Sequence, residues 1–289
     1  MIAQIVINGL ITGILCSLMA MGFALIYNTT RVFHIAAAGI YVFAAYMFWF
    51  FSSACGLPLL PSSILSILLT SGLSMFTDVG IYRPLKKRNA SLNVTMIASI
   101  GVMTVIVNLV TMLFGNDAKT VGMPFYEPLV FGNITLTIPQ IIQTLTATIV
   151  LCSFLIVLKK TSWGIRLRAM SADETLFETL GYDINSTRNA IFIVSGAFIA
   201  TASCLTVFDV GMDANMGMKV LVYALVAMVI GGIGRYWTCL VGGLIFGILH
   251  DATDYYVNKT WVDAIIFILL LVLLFLRPRG AAGYKQRTI

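Results

Sequence analysis

Apolar stretches of about the length that crosses a bilayer follow one another down this chain, and nothing else in it constrains the fold as much. Spans are expected near 5–27, 35–52, 61–81, 93–114, 139–158, 189–208 and 262–276, since a spanning helix needs roughly 20 mostly apolar residues. The region 219–250 is less regular. There "VLVYALVAMVI" and "CLVGGLIFGIL" flank "GGIGRYWT", and each apolar part is short for a full crossing. Two tight spans, a broken helix and a hairpin entering partway all fit. Of 289 residues 59% are hydrophobic and only 10% charged, against about 25% charged in soluble domains. Such a chain lacks the polar surface to face water on all sides. The expectation is therefore an all-α polytopic integral membrane protein, one transmembrane domain over 1–289. It has about eight transmembrane helices, with a broken or re-entrant segment near 219–250.

The net charge of +6 does not point to nucleic acid, because the basic residues sit between apolar stretches, where topology signals belong. The loop "YRPLKKRN" holds Arg83, Lys86, Lys87 and Arg88 with no acid inside it, which makes it cytoplasmic by the positive-inside rule. Counting outward, the N-terminus lies outside and residues 159–188 inside. The tail "LRPRGAAGYKQR" also falls inside, provided 219–250 enters and leaves on the outer side. Only Lys119, Lys219 and Lys259 among the 18 basic residues then lie outside. The start "MIAQIVINGL" has no basic n-region, so its helix is expected to stay in place. Five cysteines, Cys16, Cys55, Cys152, Cys204 and Cys239, show no metal or redox spacing. No cofactor and no metal is expected.

One segment breaks the pattern. "GIRLRAMSADETLFETLGYD", 164–183, carries six of the chain's thirty charges and falls on the cytoplasmic side. At helical spacing Leu167, Met170, Leu176, Phe177 and Leu180 gather toward one side, and Asp173, Glu174 and Glu178 toward the other. Ser171 followed by Glu174 reads as a capping box, and Gly181 suits a helix C-terminus. From the residues alone, this is a short surface helix resting on lipid headgroups or docking a partner.

The stretch "TSWGIRLRAMSADETLFETLGYD" resembles the cytoplasmic segment of the permeases of branched-chain amino acid ABC importers, through Gly164, Arg168-Ala169, Asp173 and Gly181. "YRPLKKR", "GMKVLVYALVAMVIGGIG…GGLIFGIL" and "LRPRGAAG" resemble three further family segments in the family's order. The resemblance implies a non-catalytic subunit in a bacterial or archaeal cytoplasmic membrane. Its implied partners are cytoplasmic ABC ATPase subunits, a second homologous permease chain and an external solute-binding protein. It also implies that 164–183 couples to the ATPase, with Leu176, Phe177 and Leu180 seated in a groove, Arg168, Asp173 and Glu174 at its rim, and Gly181 closing the helix. Branched-chain amino acids are the implied substrates. Urea or short amides on the same scaffold, and an ion-coupled carrier or channel of another class, are the alternatives. The sequence departs from the family at Phe177 (usually Ala), Tyr182 (usually Ile), His34 (an Asn position), Ala37-Ala38 (a polar-Gly pair) and Trp237-Thr238 (a Pro-Gly). The last three bear on substrate more than on architecture.

Other candidate chemistry is thin. "GNDAKT" lacks the glycines a P-loop needs to wrap phosphates. His250 and Asp254 make a loose His-x-x-x-Asp pattern of the kind some membrane acyltransferases use. Asp78 is the only acid inside an expected span, and near a basic loop it reads as interfacial. For a translocation path, uncharged polar groups and irregular backbone are the candidates: Asn28, Thr29, Thr30 and His34 at one break, Gly231, Gly232 and Gly234 at the other, and Asn108 in the fourth span. Capping competes with path lining at His34, close helix packing at the glycines, and a helix–helix hydrogen bond at Asn108.

Overall fold

A computed structural model describes residues 2–121, 129–131, 134–232, 234–257 and 259–276; "RPRGAAGYKQRTI" and the expected cytoplasmic tail lie outside them. The first helix, α1 (Ile2–Thr30), is mostly apolar, and from Ile11 onward it runs largely buried through the bundle. A linker, 31–36, turns the chain back. Arg31 takes φ +56 there, a left-handed conformation uncommon for a side-chain-bearing residue. Then α2 (Ala37–Trp49) runs away from that end and closes in a π-helical turn, Phe50–Ala54.

The return helix α3 (Leu59–Thr77) continues through a second π-turn, Asp78–Tyr82, into α4 (Arg83–Lys87). Next come α5 (Leu92–Phe114), a hairpin of β1 (Leu129–Phe131) and β2 (Ile134–Leu136), and α6 (Ile138–Lys160). The polar segment forms α7 (Ser162–Ala172) and α8 (Glu174–Thr179), after which α9 (Ile184–Val210) re-enters the bundle. The chain closes with α10 (Met216–Gly231), α11 (Tyr236–Tyr256) and α12 (Lys259–Leu276). Among the described residues six helices are long and apolar enough to cross a membrane, or seven counting α10–α11 as one span. The all-α polytopic class is as expected, with six or seven spans against the expected count of about eight.

Small residues set the packing. Gly9 and Gly13 of α1 lie against Gly247–Ile248 and Gly243–Leu244 of α11, so close that an added Cβ would stand 2.7 Å from backbone atoms. This pairing also fixes direction, because α11 runs antiparallel to α1. Hydroxyls tie other helices together where apolar packing alone would let them slide: Ser195 donates to the Gly22 carbonyl at 2.7 Å, Ser203 to that of Tyr41 at 2.7 Å, and Ser74 to that of Phe192 at 2.8 Å.

The ambiguous region 219–250 resolves into two arms. The chain bends by 113° between α10 and α11, and Tyr236, first residue of α11, lies 3.4 Å by its hydroxyl from Ser171 of α7. The bend therefore reaches the end of the bundle that carries α7 and α8. Gly231 is held there by contact: a Cβ on it would fall 2.0 Å from the Thr238 carbonyl oxygen. Gly232 follows at φ +100, a conformation that glycine adopts without strain.

Candidate functional site

The polar segment forms a two-helix elbow beneath the bundle. Thr161 caps α7, accepting from Gly164 N–H at 3.4 Å, and Arg168 donates to the Leu158 carbonyl at 3.1 Å, satisfying the end of α6. Leu167 and Met170 face inward, fully buried. The Ser171 hydroxyl donates to the Asn28 carbonyl at 3.0 Å, so α7 is pinned to the last turn of α1.

The expected capping box at Ser171 and Glu174 does not form. α7 stays helical through Ala172, and it is Asp173, at φ −155, that breaks the helix and starts α8. Its carboxylate accepts from Thr175 N–H at 2.9 Å and Leu176 N–H at 3.1 Å. The Thr175 hydroxyl and these amides hold the Asp173 carboxyl below its ordinary value, because they favour the charged form. Gly181 ends the helix as expected, at φ +83 with its N–H on the Glu178 carbonyl at 2.9 Å.

The apolar stripe is divided differently from the expectation. Phe177 is 1% exposed, while Leu176 and Leu180 are 58% and 64% exposed. Phe177 turns inward and stacks on Tyr182, ring centroids 5.0 Å apart, with the Arg166 guanidinium 5.1 Å over the tyrosine ring. The two departures from the family pattern are thus one structural unit: a large residue at 177 is matched by an aromatic at 182. The face left to solvent is Leu176 and Leu180, one helical turn apart, with Asp173 beside them.

Sequence reasoning missed what lies behind α8. Asp78 is fully buried and binds two arginines. Arg83 donates to it at 2.7 Å from within the same helical run; the π-turn, with its five-residue hydrogen-bond spacing, sets positions 78 and 83 one above the other. Arg188, 2% exposed, reaches it from α9. Arg83 also bonds the Asn185 carbonyl at 3.1 Å and the Asn189 side chain. Asp78 is therefore an interior hub rather than an interfacial acid. The signal available was an acid and an arginine five apart beside an arginine opening the sixth span. Lys86 on α4 pairs with Glu174 on α8.

The path candidates fall in two places. Asn28 and Thr29 are buried at the base of α1, where Thr29 and Thr30 return their hydroxyls to the Leu25 and Ile26 carbonyls at 2.6 and 2.8 Å. Through Ser171 they share one end of the bundle with Gly231, Gly232 and Gly234. His34 is fully buried there. Its Nδ1 lies 2.8 Å from the Tyr82 hydroxyl, itself 2.8 Å from Ser99 Oγ, which accepts from Ala36 N–H at 2.9 Å. Burial pushes the His34 imidazole down to about 3, against a smaller upward pull from Asp78. Asn108 stands apart on the exposed face of α5 and donates to the Thr104 carbonyl of its own helix at 2.7 Å. His250 pairs with its neighbour Asp251 at 3.0 Å, and Asp251 accepts from Thr12 at 3.0 Å. In "GNDAKT", Gly115 ends α5 and Lys119 lies 4.0 Å over the Trp49 ring.

Residues 5–274 match the family described as "Branched-chain amino acid transport system / permease component". The chain belongs to this family. It is 25% identical to the high-affinity branched-chain amino acid transport system permease protein BraD of Pseudomonas aeruginosa, over 98% of this chain and 96% of that one. The probable branched-chain amino acid transport permease protein LivH of Methanocaldococcus jannaschii is 26% identical, over 94% and 90%. LivH of Escherichia coli K12 is 24% identical, over 98% and 96%. In fold the chain is similar to a solved structure, PsaBC from Streptococcus pneumoniae in complex with Fab, at a TM-score of 0.52 and 16% identity, covering 97% of this chain and 92% of that one. The family resemblance and the all-α polytopic class expected from the sequence are borne out.

Proposed function

We propose that this permease is the non-catalytic transmembrane subunit of an ATP-driven ABC importer, and that it moves branched-chain amino acids inward from an external binding protein. Residues 1–289 act as one permease domain, paired with a second homologous permease chain in a bacterial or archaeal cytoplasmic membrane. ATP is hydrolysed on separate ATPase subunits, and α7–α8 is where they push. The observation that carries this reading is the solvent face of α8. Leu176 and Leu180 stand exposed on a short, polar helix capped by Asp173, which follows directly on α7, itself tied to α1 through Ser171. A small apolar strip with a charged rim on a helix outside the bundle fits helix-in-groove docking. Asp173 and Glu174 border it and Gly181 closes it, while Arg168 holds α7 to the end of α6. Phe177 supports the helix from behind.

Charge placement supports the orientation. The end with α7 and α8 carries Arg31, Arg83, Lys86, Lys87, Arg88, Lys159, Lys160, Arg166, Arg168, Arg188 and Arg235, as a cytoplasmic face should. The path runs past Asn28, Thr29, Thr30, His34 and the 231–234 turn, with Asn108, on the exposed face of α5, standing off it. An ion-coupled carrier would want a free carboxylate in mid-membrane, and Asp78 is already bound by two arginines.

The test is gentle-detergent purification of the tagged chain from its host, followed by uptake in proteoliposomes. Wild type should bring down an ATPase, and leucine uptake should need ATP. Leu176→Asp with Leu180→Asp should lose the ATPase while leaving the permease folded. Uptake of urea rather than leucine would reassign the substrate. Uptake driven by an ion gradient without any ATPase would overturn the importer.

A further inference from the structure

Behind the exposed face of α8, charged and polar groups form a connected line into the bundle. Glu174 on α8 pairs with Lys86 on α4. Three residues earlier in the same short helix, Arg83 binds Asp78 in the π-turn of the third span and Asn189 on α9. Arg188 of α9 closes on the same carboxylate. Tyr82, from that π-turn, contacts His34 in the α1–α2 linker and Ser99 on α5. One π-turn thus touches α9, α5 and the α1–α2 linker.

Two features make this more than a tight corner. The Asp78 cluster is buried, whereas Lys86 and Glu174 are 52% and 30% exposed by side chain. Below the cluster an open cleft of about 340 Å³, lined by Lys87, Glu178, Asp183 and Asn185 among others, separates α4 from the α8–α9 connection. The Lys86–Glu174 pair bridges α4 and α8 beside unfilled space, so it acts there as a strut rather than as part of a packed wall.

We propose that Lys86 is a positioning residue for transport. It hands displacement of α8 to the Asp78 π-turn, which moves α3 and α9 together and carries the α1–α2 linker through Tyr82. This rests on the importer reading above. A pair this exposed adds little to fold stability, so altering it changes coupling and not folding. Coupling between two sites needs an element whose position both sites bias, and the π-turn, clamped from α3, α4 and α9, is that element.

The experiment compares wild type, Lys86→Arg and Lys86→Glu in full complexes with the ATPase, in proteoliposomes supplied with leucine and its binding protein. For Lys86→Glu, repulsion from Glu174 should cut leucine uptake by at least about five-fold, within the ordinary range of coupling effects. ATPase subunits should still co-purify, and ATP hydrolysis should continue without its stimulation by leucine. Lys86→Arg should restore uptake and stimulation together, which a merely structural lesion would not allow. Wild-type uptake by Lys86→Glu would overturn the relay. So would loss of the ATPase from that variant alone, because Lys86 would then be a docking contact. If the wild type retrieves no ATPase, the importer reading itself falls, an outcome separate from both.

Discussion

His34 shows how one substitution can be absorbed. The resemblance read from the sequence expects Asn at this position, a side chain that stays uncharged at any physiological pH. An imidazole in its place is fully buried, with Nδ1 toward Tyr82 and Nε2 lacking a partner among the described residues. Asp78, the nearby carboxylate, is committed to Arg83 and Arg188, so it offsets only part of the desolvation that keeps the ring neutral. The sign of the linkage follows. In the unfolded chain the ring takes a proton near 6.5, and in the folded chain only near 3. Between those values the unfolded state binds more protons, so stability is full above 6.5 and falls as pH drops through the window. Thermal unfolding in detergent micelles should therefore shift down between pH 7 and pH 5. His34→Asn should flatten that part of the profile, and an unchanged slope would place the titration elsewhere.

At the level of elements, the hairpin of α10 and α11 is the part whose layout depends most on single contacts. Gly242 meets the Ala227 carbonyl so closely that a Cβ would lie 2.0 Å from the oxygen and 2.5 Å from the Gly231 nitrogen. Backbone cannot yield as a side chain can, so Gly242→Leu should drive the arms apart and cost on the order of 1–3 kcal/mol or more through overpacking. Gly72 on α3 has nothing within 4 Å of such a Cβ, and Gly72→Leu serves as the control. Melting temperatures of the two variants should separate clearly. The same hairpin marks the limit of what the sequence makes legible. Long spans are readable because hydropathy sums over some twenty residues, and Gly181 is readable because a helix end needs a left-handed residue. The turn before Tyr236 is not, because its place is set by the contact of Tyr236 with Ser171, distant in sequence. The inward turn of Phe177 is hidden for a related reason: a six-residue helix has too few positions for periodicity to fix its inner side, and the stacking partner Tyr182 lies beyond its end. Asp78 looked interfacial because its second arginine arrives 110 residues later.

Across the whole molecule, orientation is the property on which the functional reading turns, and two native features make it measurable. α2 leaves the end occupied by α7 and α8, so Cys55, just past its π-turn, stands exposed at the opposite end. Cys16, Cys204 and Cys239 are buried within the bundle. Cys152 is exposed in the middle of α6, where a spanning helix meets acyl chains and an aqueous reagent does not reach. The wild-type protein therefore carries a single cysteine suited to an impermeant maleimide. With the basic end facing the cytoplasm, Cys55 should label from outside in intact cells, and Cys55→Ser should abolish the signal. Glu178→Cys in the Cys55→Ser background places a thiol on the exposed side of α8 and should label only in inverted vesicles. The reverse pattern would put α8 outside, beyond reach of any cytoplasmic ATPase, and the ATP-driven importer would fall with it. The basic residues argue against that outcome on energetic grounds. Among the described residues eleven arginines and lysines share an end with α8 while Lys119, Lys219 and Lys259 lie at the other, and an insertion that translocated the larger set would work against the bias that sets topology.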